Sequence, residues 1–229
     1  MNIIFEDQHI IVVQKPPKVP SQSDQTFDLD MLSMIKAYLK EKYPSAKDPY
    51  IGLVHRLDRP VGGVMVFAKT KEDNARLSEQ IRTKKFNKKY YVVVCGKPEN
   101  TKGELRNYLK KLRDLNMSKV VTDKSKAGKE AILEYEWIDS VDTDEYGTLS
   151  LLEVDLKTGR HHQIRVQLSH ANLSIWGDNK YNKTFVKMKK WTQIALWAYS
   201  LSFYHPKDQK FMTFESKPTE EYPFALFKI

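Results

Sequence analysis

Near the start of the chain, Ile3 to Phe5 and Ile10 to Val13 are short apolar, mostly β-branched runs around the polar Glu6-Asp7-Gln8-His9. That pattern predicts two strands joined by a tight turn, and Pro16, Pro17 and Pro20 then stop the ladder. Met31, Leu32, Ile35, Tyr38 and Leu39 recur at helical spacing with Asp28 or Asp30 as the cap, predicting a helix of about three turns that ends before Pro44. From Gly52 to Thr70 the order is strand, polar turn, strand, with Val64 to Ala68 apolar enough to be buried on both faces. Thr70-Lys71-Glu72-Asp73 resembles a capping box with Asp in place of the usual Glu. Leu77 and Ile81 begin the apolar stripe of a second helix, with Arg76, Arg82, Lys84 and Lys85 on or beyond its wet side. Tyr90 to Val94 reads as a strong strand.

From about Lys97 to Lys129 the chain is lysine-rich and poorly periodic, which predicts an irregular excursion or a weak solvent-exposed hairpin. Alternation returns with Ala131, Leu133, Tyr135 and Trp137, and again from Leu149 through the Leu152 to Leu156 run, with a turn between Asp142 and Gly147. Ala195, Trp197, Tyr199, Leu201 and Phe203 alternate once more, followed by the turn signal His205-Pro206-Lys207-Asp208 and a return strand from Phe211 to Phe214. No repeat, low-complexity tract or Gly/Ser linker marks a boundary, so a single domain over 1–229 is expected. Its class is α+β, with a large mixed, mainly antiparallel sheet and flanking helices.

Lys and Arg outnumber Asp and Glu by 38 to 29, a formal charge of +9 that makes nucleic acid the leading partner class. Excess lysine that only solubilises the surface would give the same count, so motifs must decide. Cys95 is the one cysteine. Neither a disulfide framework nor a cysteine-based zinc site can be built from it, in keeping with a reducing cytoplasm. The first residues have no basic stretch leading into an apolar run, and nowhere do roughly eighteen apolar residues follow one another, so neither secretion nor a membrane span is expected. With no long exposed apolar seam, a monomer is expected.

Two polar islands interrupt the apolar strands. In His55-Arg56-Leu57-Asp58-Arg59-Pro60-Val61-Gly62-Gly63, Asp58 lies in a turn between two arginines, where its carboxylate is expected to stay ionised near neutral pH, as a nucleophile or base must. Gly62 and Gly63 allow a ligand or another backbone to approach closely. The bland alternative is a salt-bridged turn. In Lys157-Thr158-Gly159-Arg160-His161-His162-Gln163-Ile164-Arg165-Val166, a Gly turn opens a short helix. Helical spacing puts His162 and Arg165 on one side and Ile164 and Leu168 on the other, so Arg165 is aimed away from the core, where it could meet Asp58. The paired histidines lack an HExxH or a cysteine pair, so hydrogen-bonding or phosphate-contact roles are favoured over zinc.

Gly52-Leu53-Val54-His55-Arg56-Leu57-Asp58-Arg59, continuing to Phe67-Ala68-Lys69-Thr70, resembles the signature of the RluA family of pseudouridine synthases, whose HRLD motif holds the catalytic aspartate. Thr158-Gly159-Arg160 with His162-Gln163-Ile164-Arg165-Val166 resembles the family's TGRxHQIRV motif, and Gly177-Asp178 with Tyr181 its GDxxY motif. The likeness extends from Ile4-Phe5-Glu6-Asp7 and Val13-Gln14-Lys15-Pro16 to Phe203-Tyr204-His205-Pro206. An amino-terminal S4 domain, carried by many relatives, is expected to be absent because the catalytic pattern begins at once. The sequence departs from the family at Val61-Gly62-Gly63, where many members have Thr-Ser-Gly or a close variant, and at Gln167, where histidine is frequent.

The resemblance implies a catalytic fold with a central RNA-binding cleft and a cofactor-free isomerisation of uridine in ribosomal or transfer RNA. It implies Asp58 as nucleophile, Arg165 as its ion-pair partner, Tyr90 as the aromatic stacking on the target uracil, and Arg56 in the gap left by the flipped base, with His162 as a further substrate contact. The basic residues around Arg76 to Lys89 and Lys102 to Lys129 are the expected phosphate footprint. Two rivals remain: an RNA-binding protein without catalysis, and a nucleoside hydrolase or glycosidase, since an Asp beside a glycosidic bond is shared chemistry.

Overall fold

Short apolar runs punctuated by Asx and proline turns favour strands over helices, and strands make most of the regular secondary structure. The computed structural model describes residues 1–23, 28–45, 48–122, 127–218 and 220–229. These divide into two units, Met1–Asn87 with Ala198–Lys217, and Lys88–Trp197 with Pro218–Ile229.

In the first unit, β1 (Asn2–Glu6) and β2 (Ile10–Lys15) form the expected antiparallel hairpin. Asp7 Oδ1 closes its turn by accepting from the His9 and Ile10 amides at 2.7 and 2.8 Å. Helix α1 (Met31–Lys42) is capped by Asp30, which accepts from the Leu32 and Ser33 amides, while Asp28 pairs with Arg59. The two-residue β3 (Gly52–Leu53) pairs with β4 (Gly62–Ala68), buried along its whole length as its apolar run predicts. Helix α2 (Lys71–Arg82) starts with half of a capping box: Thr70 Oγ1 accepts from the Asp73 amide at 3.1 Å. The shorter Asp73 carboxylate takes the Thr70 hydroxyl at 2.6 Å and faces His9 Nδ1 at 3.0 Å.

The chain enters the second unit along β5 (Asn87–Cys95). Of the two forms expected for the lysine-rich middle, irregular excursion or weak hairpin, the structure has the hairpin: β6 (Lys102–Leu112) and β7 (Met117–Val121) pair antiparallel over five residues. Its alternation is hidden in the sequence because Lys102, Glu104, Arg106 and Lys110 fill outward positions, while β6 also pairs along eight residues with β8 (Lys129–Thr143). Then β9 (Gly147–Leu156) joins β8 to β5, giving the antiparallel order β5-β9-β8-β6-β7. Two short helices follow, α3 (Gln163–His170) and α4 (Lys183–Met188). Leu109, Ala131 and Val166, with Val120 and Tyr181 against them, form a small core under α3.

The chain returns to the first unit along β10 (Leu196–Tyr204), whose antiparallel partner is β11 (Phe211–Glu215). Within this unit the strand order is β1-β2-β4-β10. Ile10, Val12, Val64, Val66, Leu201 and Phe203 form its core, closed by Leu77 of α2 and by Phe86. Such side chains contribute about 1.5–3 kcal/mol each on full burial, which fixes the β2–β4 register. That register sets Lys15, at the end of β2, opposite Gly63, at the start of β4. Among the described residues no helix is long and apolar enough to cross a membrane.

Candidate active site

The first island folds as a turn leading into β4. The Val61 amide donates to the Asp58 carbonyl at 2.9 Å. Buried Ser21 clamps the preceding residue, its Oγ donating to the Leu57 carbonyl at 2.9 Å and accepting the Leu57 amide at 3.2 Å. Asp58 is half-buried and Arg56 exposed, so the turn presents both outward while Leu57 anchors it in the core. Arg59, the second flanking arginine, pairs with Asp28 and donates to the Lys18 carbonyl at 3.0 Å. Gly63 sits at φ 125°, and a Cβ there would lie 2.1 Å from the Ala198 carbonyl oxygen, so close approach of a neighbouring backbone explains this glycine. His55 is structural on this side: its Nε2 accepts the Val66 amide at 3.2 Å and its ring meets Phe86 edge-on.

Beneath the turn lies a residue that sequence reasoning did not single out. Lys15 is 0% exposed and donates to the carbonyls of Pro16, Val19 and Arg59 at 3.0, 2.6 and 3.1 Å. An ammonium has three N–H donors, so the three carbonyls satisfy it fully in a place with no water to do so. Burial, opposed by the Asp58 carboxylate, pulls its pKa down to about 7. The signal was the Lys15-Pro16 pair within the family pattern, read as a strand end and not as chemistry.

The second island is assembled around side-chain amides. Gln163 Oε1 accepts the Thr158 hydroxyl and the Arg160 amide at 2.8 and 2.9 Å, and its Nε2 donates to the Ile132 carbonyl at 3.1 Å. The loop is thereby hung on β8. His162 caps α3 with a left-handed backbone, φ 53°. Its Nδ1 lies 2.9 Å from the Tyr181 hydroxyl oxygen, which accepts the Ser118 amide at 2.7 Å. Those contacts are satisfied when the phenol proton points at Nδ1 and a neutral imidazole keeps its own proton on Nε2. Burial, and then the positive charges of Arg165, His161 and Lys180, push the His162 pKa down to about 2. Gln167, where the family often has histidine, is buried and donates through Nε2 to the Leu105 and Ala131 carbonyls at 2.9 and 3.2 Å, and to Asn107 at 2.9 Å.

Arg165 corrects the helical-wheel expectation, since it is 5% exposed and does not point outward into solvent. Every residue from Gln163 to Leu168 is buried, because α3 is short and packs against β6 and β7. Asp178 of the GDxxY motif holds the guanidinium bidentately, Nε to Oδ2 at 2.8 Å and Nη2 to Oδ1 at 2.7 Å, and Tyr181 lies 5.3 Å from its centre. Gly177, at φ 76°, allows the fit, because a Cβ there would sit 2.3 Å from the Gln193 carbonyl oxygen. The two late motifs, separate in sequence, form one bonded network in the second unit.

Tyr90 is buried on β5, paired across to Val154. Lys88 lies two residues earlier on the same face, and its Nζ is 3.5 Å from where a Cβ on Gly159 would sit. Burial lowers the Lys88 pKa, and the sequence reading placed this lysine only within a general basic stretch. Elsewhere in the expected phosphate footprint, Arg76 and Arg82 are paired with Glu72 and Glu79, and Arg106 with Glu104 and Glu130. Lys84 and Lys85 stand exposed beyond α2. Residues 123–126 of that footprint lie outside the described residues.

The profile of a family described as RNA pseudouridylate synthase matches residues 9–170. The chain is 32% identical over 226 residues to an uncharacterized RNA pseudouridine synthase of Helicobacter pylori, covering 94% of this chain and 65% of the relative. It is 33% identical over 214 residues to ribosomal large subunit pseudouridine synthase C of Buchnera aphidicola, covering 91% and 64%. The chain thus spans just under two thirds of the length of these curated relatives. In fold it is similar to human RNA Pseudouridylate Synthase Domain Containing 4, with a TM-score of 0.77 and 22% identity over 94% of this chain and 88% of that one.

Proposed function

The chain belongs to the RNA pseudouridylate synthase family, and from that premise we propose that it isomerises uridine to pseudouridine in structured RNA, with Asp58 as nucleophile. The observation that carries the reading is the Asp58 turn itself: a carboxylate presented by a β-turn, clamped by Ser21 and underpinned by a fully buried ammonium. An ordinary surface salt bridge, worth about 0–1 kcal/mol, gives no reason to bury Lys15 beneath it.

In this reading the target base is extruded from the RNA at a cost of a few kcal/mol, and stacking on Tyr90 offsets about 1–3 kcal/mol of that. Asp58 then acts at the sugar, by attack on C1′ or by assisting loss of the C2′ proton. The N1–C1′ bond breaks, the uracil turns, C5 bonds to C1′, the C5 proton leaves to water and N1 takes a proton up, so no external oxidant or group donor enters. Arg165, its plane set by Asp178, is a substrate-binding residue. Arg56 fills the gap left by the base, and His162 contacts the substrate. Ribosomal RNA is the favoured substrate over transfer RNA, because named relatives modify the large ribosomal subunit. We take 1–229 to work as one catalytic domain, monomeric and in the cytoplasm.

The test is to map pseudouridines in cellular RNA with and without the gene, restoring it as wild type or as Asp58→Asn. A site that disappears on deletion and returns only with wild type supports the reading. Free uracil in place of pseudouridine points to the glycosidase.

A further inference from the structure

Residues 183–191, Lys-Thr-Phe-Val-Lys-Met-Lys-Lys-Trp, combine four lysines with three exposed apolar side chains and belong to none of the motifs above. The start of this segment is anchored in the fold. Asn182 caps α4 by accepting the Thr184 amide at 3.1 Å, and its Nδ2 donates to the Ile175 carbonyl at 3.0 Å. Phe185, 1% exposed, anchors the helix from below, stacked on Tyr146 at 5.7 Å and edge-on to Trp176 at 5.1 Å. Tyr222 closes the same aromatic cluster against Trp176.

With Phe185 turned inward, the other side of the segment faces water. Val186, Met188 and Trp191 are 47%, 45% and 53% exposed, and Lys183, Lys187, Lys189 and Lys190 are exposed among them. Among the described residues no acidic side chain pairs with any of these four lysines. The sequence explains this, because no Asp or Glu occurs between Asp178 and Asp208. On α2 the opposite rule holds, with Arg76 and Arg82 each given a glutamate one turn away. Lys183 and Lys187, four apart in a six-residue helix, repel each other, and exposed apolar side chains beside them add to the cost, so a merely solvated face would not combine the two.

We propose that residues 183–191 are a second RNA-contact element, in which the lysine ammoniums take backbone phosphates and Trp191 stacks on an unpaired base. The proposal rests on the reading of RNA as substrate and adds a contact outside the Arg76 to Lys89 and Lys102 to Lys129 regions. Unpaired ammoniums interleaved with an exposed indole suit single-stranded or looped RNA, where phosphate and base face are both accessible.

The experiment measures filter binding of in vitro transcribed large-subunit ribosomal RNA across a salt series. It compares wild type, K187Q/K189Q/K190Q, the charge-preserving K187R/K189R/K190R, and W191A. The glutamine triple should lower the slope of log affinity against log salt by about 2 to 3, and the arginine triple should keep it. W191A should weaken binding roughly 5- to 150-fold with little change in slope. Turnover of the shortest RNA fragment still modified should be unchanged in the glutamine triple. Equal slopes and affinities for wild type and the glutamine triple would overturn the proposal. So would loss of binding to phosphatidylglycerol vesicles in that variant with RNA binding intact, which would make the face a membrane contact. Absence of turnover by wild type tests the synthase reading alone, because the salt slopes are read without it.

Discussion

Lowering the pH from about 7.5 to about 5 should remove roughly 2 kcal/mol of stability through His162 alone. Burial and neighbouring positive charge hold the folded imidazole neutral, with a pKa pushed down to about 2, while the unfolded chain titrates at the ordinary value of 6.5. The folded pKa is the lower one, so below the unfolded value the unfolded state binds the extra proton. The neutral ring's contribution is therefore intact above that pH and is lost as pH falls toward the folded value. At about pH 5 the unfolded chain is some 1.5 units into protonation, and at about 1.36 kcal/mol per unit this gives the 2 kcal/mol; the folded value hardly enters. His162→Asn isolates the effect. Asn tolerates the left-handed backbone at φ 53° and offers an oxygen to the Tyr181 hydroxyl, but does not titrate. Urea unfolding of both proteins at each pH measures the difference. If wild type and His162→Asn lose stability in parallel between those pH values, the buried neutral histidine is wrong.

Gly63→Ala should fail to accumulate as folded protein, or lose more than about 3 kcal/mol in urea unfolding, because its Cβ would fall 2.1 Å from the Ala198 carbonyl oxygen at a φ of 125°. Asp178→Asn leaves the buried Arg165 guanidinium without its charge partner and should cost about 3–5 kcal/mol, read from the same unfolding assay. Lys15→Met should leave the far-ultraviolet circular dichroism near wild type but lower kcat at least tenfold; unchanged kcat would remove Lys15 from the positioning of Asp58. The Lys15 pKa of about 7 lies below the ordinary 10.5, so the unfolded chain holds a proton that the folded chain releases between those values. Stability from this group should accordingly rise with pH across that window in wild type and not in Lys15→Met.

The α+β class and its mainly antiparallel sheet were legible wherever alternation was unmasked, as in β8 and β10, or where an apolar run was unbroken, as in β4. They were hidden in β6, whose outward Lys102, Glu104, Arg106 and Lys110 mimic a solvated loop although Leu109 and its pairing with β8 keep it regular. The order and identity of the motifs were equally legible. Their mutual support was not. That Asp178 holds Arg165, that Tyr181 links His162 to the Ser118 amide, and that Lys15 carries three carbonyls depend on long-range packing that no local period encodes. Arg165 shows the limit most clearly, since a helical wheel assigns sides by angle and cannot know that a short helix is enclosed.

The most direct test of the central claim is tritium release from RNA labelled at uracil C5, prepared from cells lacking this protein, with wild type beside Asp58→Asn. Joining C5 to C1′ expels that hydrogen, so release by wild type alone, with no free uracil and with RNA binding retained in Asp58→Asn, is the predicted result. Equal release by Asp58→Asn would contradict the assignment of Asp58, and no release from any RNA that wild type binds tightly would contradict the synthase reading itself.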